Sequence, residues 1–135
     1  MIIKNTTPPA WIYDECIKQF NPPKGTVYSF ATTIFNPDGV DIPDHLIVHE
    51  SVHGEQHQHN EEVATVWWRR YLVDPQFRAE QEIEAYHEQY KYICSKIKDK
   101  NARFRNLHIL AQFMSAPMYG NCVSYTDAIR RIRGG

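Results

Sequence analysis

The chain has 135 residues, a size that one domain fills and that buries a core without help from disulfides or a structural metal. Its 15 Lys and Arg against 16 Asp and Glu leave a formal net charge of −1, which argues against a dedicated nucleic-acid binder or a membrane-surface protein. Three cysteines, Cys16, Cys94 and Cys122, make no C-x-x-C pair, so neither a disulfide framework nor a thiolate zinc site is expected, and a reducing compartment is.

From Met1 to Trp11 no apolar run resembles a secretory signal, and no segment approaches transmembrane length, so the expectation is a cytoplasmic protein. Prolines at 8, 9, 22 and 23 bracket Trp11 to Phe20, where Ile12, Cys16, Ile17 and Phe20 fall at helical spacing and predict a first helix. Thr26 to Phe35 is rich in Val, Ile, Phe, Tyr and Thr and ends at the turn signal Asn36-Pro37-Asp38-Gly39, so it reads as a strand. Pro43-Asp44 then starts a second helix, with Asp44 at or near its cap.

Glu61 to Val73 places Val63, Val66, Trp67, Tyr71 and Leu72 at helical intervals and stops at Asp74-Pro75, itself a fresh helix start. A long helix follows to about Lys98, with Ala79, Ile83, Tyr86, Tyr90, Ile93 and Ile97 on one apolar stripe. Its basic end, Lys96 to Arg105, suits the helix dipole and stays in water, so no nucleic-acid role is assigned to it. Arg105 to Ser115 reads as a further helix, Pro117 to Gly120 as a loop, and Thr126 to Arg133 as a closing helix. No repeat, low-complexity tract or linker divides residues 1–135, and the expectation is one mostly helical α+β domain with a small sheet.

The chemistry lies in His49-Glu50-Ser51-Val52-His53. In a helix the two histidines stand one turn apart on one face and can clamp a divalent metal, and Glu50 sits where a carboxylate can take a proton from water and pass it to a leaving amine. His45, His49, His53 and His57 continue at i, i+4, a ladder that could be a solvated stripe; Leu46, Val48 and Val52 flank it and make the face half buried. A buried imidazole needs a partner, and a metal is one. His57 is expected to face solvent or to make an outer contact.

Two histidines do not complete a catalytic zinc site, which typically has three protein ligands and an open place. Glu80, Glu82 and Glu84 compete on the long helix; Glu82 falls about 60° from the centre of the apolar stripe, against roughly 100° and 140° for the other two. An inward carboxylate between Ala79 and Tyr86 is costly unless charge-paired or metal-bound, which favours Glu82.

The five residues His49 to His53, followed about thirty residues on by Glu82-Ile83-Glu84-Ala85-Tyr86, resemble the gluzincin arrangement, in which a Glu on a second helix completes the zinc site. The likeness is closest to small phage-type zinc metallopeptidases, through Thr33-Ile34-Phe35-Asn36-Pro37, His49 to Gln56, Trp67-Trp68 and Asp74-Pro75-Gln76-Phe77-Arg78, and spans roughly residues 26 to 92. It implies a zincin-like metallopeptidase domain with its sheet beside the H-E-x-x-H helix, Zn2+ on His49, His53 and Glu82, Glu50 as general base, and a peptide or protein substrate. One departure stands out: Tyr86 occupies the position, four residues after the ligand Glu, where many gluzincins place Asp or Asn. The rival third ligand is His59, which has the metzincin spacing of ten residues after the first histidine; the glycine that pattern requires is Gln56 here.

Candidate donors to an oxyanion are Tyr119, Tyr125 and His108, with Tyr119 carried forward. The strand Thr26 to Phe35, by resemblance to zincins, could hold an extended peptide by main-chain pairing. Trp67 is expected in the core and Trp68 or Arg69 at its rim. Two other functions remain open: a non-catalytic metal-binding interaction protein on a peptidase fold, and a metallohydrolase acting on cell-wall peptide amides.

Overall fold

One residue makes the corner on which the centre of the molecule is built. Asp74 closes one helix by donating its amide to Arg70 O and opens the next by accepting from Phe77 N at 3.1 Å, with Pro75 as the first helical residue. The structure, a computed structural model, describes residues 1–134. Its elements are β1 (Ile2–Lys4), α1 (Ala10–Phe20), β2 (Tyr28–Phe30), β3 (Thr33–Phe35), α2 (Asp44–Gln56), α3 (Glu61–Val73), α4 (Pro75–Lys96), α5 (Lys100–Met114), a 3-10 turn (Pro117–Tyr119) and α6 (Tyr125–Arg133). The fold is α+β, mostly helical with one small sheet. No helix among the described residues is long and apolar enough to cross a membrane.

The sheet has the order β1-β3-β2, with β1 parallel and β2 antiparallel to β3. The single strand expected over Thr26 to Phe35 is instead a hairpin whose two-residue turn has Ala31 at φ +56°. The cause is tertiary: the Ala31 amide turns out of the ladder to donate to Nδ1 of His57, 26 residues on. Strand β1 has no sequence signal of its own; Ile2 and Ile3 stay exposed, and its pairing to β3 supplies the order. Gly54 lets α2 lie close to this hairpin, since a Cβ there would stand 3.1 Å from Ala31 O and 2.7 Å from Met1 Sδ.

Helix α5 starts at Lys100, earlier than the apolar pattern indicates, because Asp99 caps it by accepting from Ala102 N. Two apolar clusters flank α4. One, with α5 and α6, is largely aliphatic and includes Ile93, Leu107, Met114 and Ile132. The other joins α1, β2 and α3 through Ile12, Tyr28, Trp67, Trp68 and Tyr71. Both tryptophans are buried; Trp68 is not at the rim, because its indole N–H reaches Ser29 O at 2.9 Å, while Arg69 is exposed.

Candidate metal centre

Helix α2 buries His49, Glu50 and His53 together, and their donor atoms lie within 4.8 Å of one another. Helix α4 crosses opposite. Of its glutamates Glu80, Glu82 and Glu84, only Glu82 is buried, and its Oε1 stands 3.0 Å from His49 Nε2 and 2.7 Å from His53 Nε2. The helical rotation that puts Ala79 and Ile83 in the core brings Glu82 round to α2.

A side-chain amide holds each ring, and at His53 it fixes which nitrogen carries hydrogen. Gln56 donates its Nε2 to Gln81 O at 3.1 Å, so its oxygen must face His53 Nδ1, 2.8 Å away, and that nitrogen donates. Gln89 bridges the other pair of rings, its amide lying 2.8 Å from both His49 Nδ1 and His45 Nδ1. The His53 imidazole is thereby held with Nδ1–H outward and the Nε2 lone pair inward, the tautomer a metal ligand needs, and His49 presents its Nε2 to the same Glu82 oxygen. These two glutamines supply the support that Tyr86 cannot; Tyr86 packs edge-on against the His49 ring at 4.6 Å instead.

Two imidazole nitrogens and a carboxylate oxygen converge here, an arrangement that a shared cation stabilises. In the metal-free protein a proton fills the role. Burial pushes the His53 imidazolium down, but the Glu82 carboxylate outweighs that and raises it to about 9. Burial alone would raise Glu82, and the two histidines instead hold it well below the ordinary carboxylate range. A tetrahedral zinc with ligand bonds of about 2.0–2.1 Å keeps its donors roughly 3.3 Å apart, so these would have to part by only about 0.3–0.6 Å to admit it. A donor set of two imidazoles and a carboxylate could hold a divalent metal ion.

Glu50 stands beside this group, its Oε2 at 3.7 Å from His49 Nε2, and the Ser29 hydroxyl lies 2.9 Å from its main-chain oxygen and 3.1 Å from its Oε1, with one hydrogen to share between them. Burial raises its pKa, with the neighbouring histidines acting the other way. A cavity of about 320 Å³ opens over these residues, and apart from Glu50, Glu82 and the two histidines its walls are mainly apolar, with Phe20, Pro22, Tyr28, Leu110, Phe113 and Met118 among them.

The remaining candidates divide. Tyr119 lines the cavity, buried, with its hydroxyl 3.5 Å from Glu82 Oε2. Tyr125 and His108 bond to each other across α6 and α5 and do not line it. His59 sits exposed on the turn after α2, where Gln58 and His59 take left-handed φ values of +54° and +49°, and it is no part of the donor group. His57 is not solvent-facing: it is fully buried, accepts from Ala31 N at 3.1 Å and packs edge-on to Trp67 at 4.5 Å. Strand β2 does lie at the sheet edge beside α2, but Trp68 already occupies the Ser29 carbonyl that a paired peptide would use.

Sequence reasoning passed over Ser29, Gln56, Gln89 and Tyr71 as site residues. Gln89 lies seven residues after Glu82 and Gln56 three after His53, so both share a helix face with a ligand candidate, a signal that was available. Tyr71, whose hydroxyl donates to Glu82 Oε2 at 2.6 Å, comes from another helix and carries no local signal. No family model, curated protein or solved structure matches the chain.

Proposed function

We propose that the chain is a zinc-dependent peptidase of the gluzincin kind, with His49, His53 and Glu82 as metal ligands and Glu50 as general base. The observation that carries the reading is the approach of Glu82 Oε1 to within 3.0 Å of both inward-facing imidazole nitrogens, on the floor of a cavity that Glu50 shares. A divalent ion held there supplies Lewis acidity, making water acidic near neutral pH and polarising a peptide carbonyl.

The chain's own groups do the rest. Glu50, kept off the lowest pKa range by burial and oriented by Ser29, takes a proton from water and returns it to the departing amine. Tyr119 offers a hydroxyl to the oxyanion; burial holds it well above the usual phenol range, so it stays a donor. The largely apolar walls favour a peptide with neutral, bulky side chains over a charged one.

Glu50→Gln tests the reading. Expected is one zinc per chain, as in the unaltered protein, with peptide turnover lowered by roughly 10²–10⁴-fold, the typical share of a general base. A purified protein that takes up no divalent metal, or a Glu50→Gln variant that still cleaves peptides at the original rate, overturns it.

A further inference from the structure

Glu82 has two carboxylate oxygens, and the metal reading uses one. Oε1 faces the imidazoles, while Oε2 accepts the Tyr71 hydroxyl at 2.6 Å and, at the longer distance of 3.5 Å, the Tyr119 hydroxyl. A carboxylate that gives both oxygens to a metal fills two coordination places, and one whose second oxygen is already engaged fills one. We infer that Tyr71 is a positioning residue that makes Glu82 a one-oxygen ligand and so keeps a coordination place open. The inference rests on the metal site proposed above.

Tyr71 is held from both ends. Its ring stacks on Trp67, with centroids 4.8 Å apart and planes 19° from parallel, and its hydroxyl is buried with Glu82. Its main chain is gripped by Arg78, which lies one turn before Glu82 on α4. The Arg78 guanidinium donates from Nη1 to Tyr71 O and from Nε to Met118 O, the latter at 2.8 Å and next to Tyr119. It is 5% exposed, lies over the Phe20 ring at 4.8 Å, and makes no ion pair among the described residues. A buried cation without an acid is costly, and here its donors are spent on two carbonyls from two segments. One side chain thus fastens the end of α3 and the turn bearing Tyr119 to the helix that carries Glu82.

Replacing zinc by cobalt(II) makes the coordination number visible, because four-coordinate cobalt absorbs strongly in the visible range and five- or six-coordinate cobalt weakly. The unaltered protein is expected to bind one cobalt with a strong band. Tyr71→Phe keeps the ring and removes the hydroxyl; its band should weaken as Glu82 turns its second oxygen to the metal, and its zinc affinity should fall by roughly 10–100-fold, as for other lost outer contacts of metal ligands. Arg78→Lys keeps the charge but cannot grip both carbonyls, and should move the band the same way, so the test survives a Tyr71→Phe chain that does not fold. An unchanged band in a folded variant overturns the inference, whatever the affinity does, and leaves the metal site standing. An unaltered protein that binds no metal overturns both.

Discussion

Helix α4 serves two interiors that differ in kind. Against α5 and α6 it buries Ile83 and Ile93 among Leu107, Met114 and Ile132, with no buried charge. Against α2 and α3 it buries Glu82, Gln89 and Arg78, the first two beside His49, Glu50 and His53 and the last on the Tyr71 carbonyl. Removing apolar area from water stabilises the first directly. The second desolvates ionisable groups, and each must be offset by a partner. The same helix can do both because one face, bearing Glu82 and Gln89, meets the histidines of α2, while the neighbouring stripe of Ala79, Ile83 and Ile93 meets aliphatic side chains. One half therefore depends on packing and the other on the pairing of its charged and polar groups.

The largest expected effects separate the halves. Met114→Ala removes a fully buried side chain from the aliphatic half and should cost about 2–5 kcal/mol of unfolding free energy, with metal bound per folded chain unchanged. Glu82→Ala should abolish stoichiometric zinc binding, and added zinc, which ought to raise the unfolding midpoint of the original protein, should no longer do so. Denaturant unfolding with and without a chelator, beside metal analysis, reads both. Metal loss in Met114→Ala, or full zinc in Glu82→Ala, would erase the distinction.

A middle-sized effect is expected on acidification and belongs to His57. Burial lowers this imidazole from 6.5 to about 3, the neighbouring His53 and His59 adding to the shift, and its Nδ1 must stay unprotonated to accept from Ala31. The unfolded chain therefore binds a proton that the folded chain refuses, and stability should decline as pH falls from about 6.5 towards 3, by a few kcal/mol in all. In His57→Asn an amide oxygen can accept from Ala31 without titrating. That variant should be less stable than the original at neutral pH, and the gap should narrow steadily towards pH 4. A gap independent of pH would show that His57 does not titrate on unfolding.

His57 also marks the boundary of what the sequence discloses. Helices α2, α3 and α4 are legible because periodicity, Pro43-Asp44 and Asp74-Pro75 are local signals, and the gathering of His49, Glu50 and His53 is written in a five-residue spacing. The inward direction of Glu82 follows from the same helical geometry. The broken strand, the depth of His57 and the burial of Trp68 do not, because each is settled by a partner far along the chain: Ala31 for His57, Ser29 for Trp68. Tyr71 and Arg78 are illegible for the same reason, since their meeting depends on the corner at Asp74 and on a loop forty residues away.

The smallest effect is the sharpest control on the comparison, because it concerns a glutamate two positions from Glu82. Glu80 faces water on the opposite side of α4 and accepts from Arg131 of α6 at 2.8 Å, with side-chain exposures of 43% and 31%. A pair that open to solvent contributes between nothing and about 1 kcal/mol, less at high salt. Glu80→Ala should therefore lower stability by that little, lose the difference in concentrated salt, and leave zinc binding untouched. Two residues turn a helix by about 200°, so the same chemical change moves from the buried histidine pair to solvent. If Glu80→Ala lost the metal while Glu82→Ala kept it, α4 would have to be seated with its opposite face on α2, and the polar and aliphatic interiors could not both lie where they do.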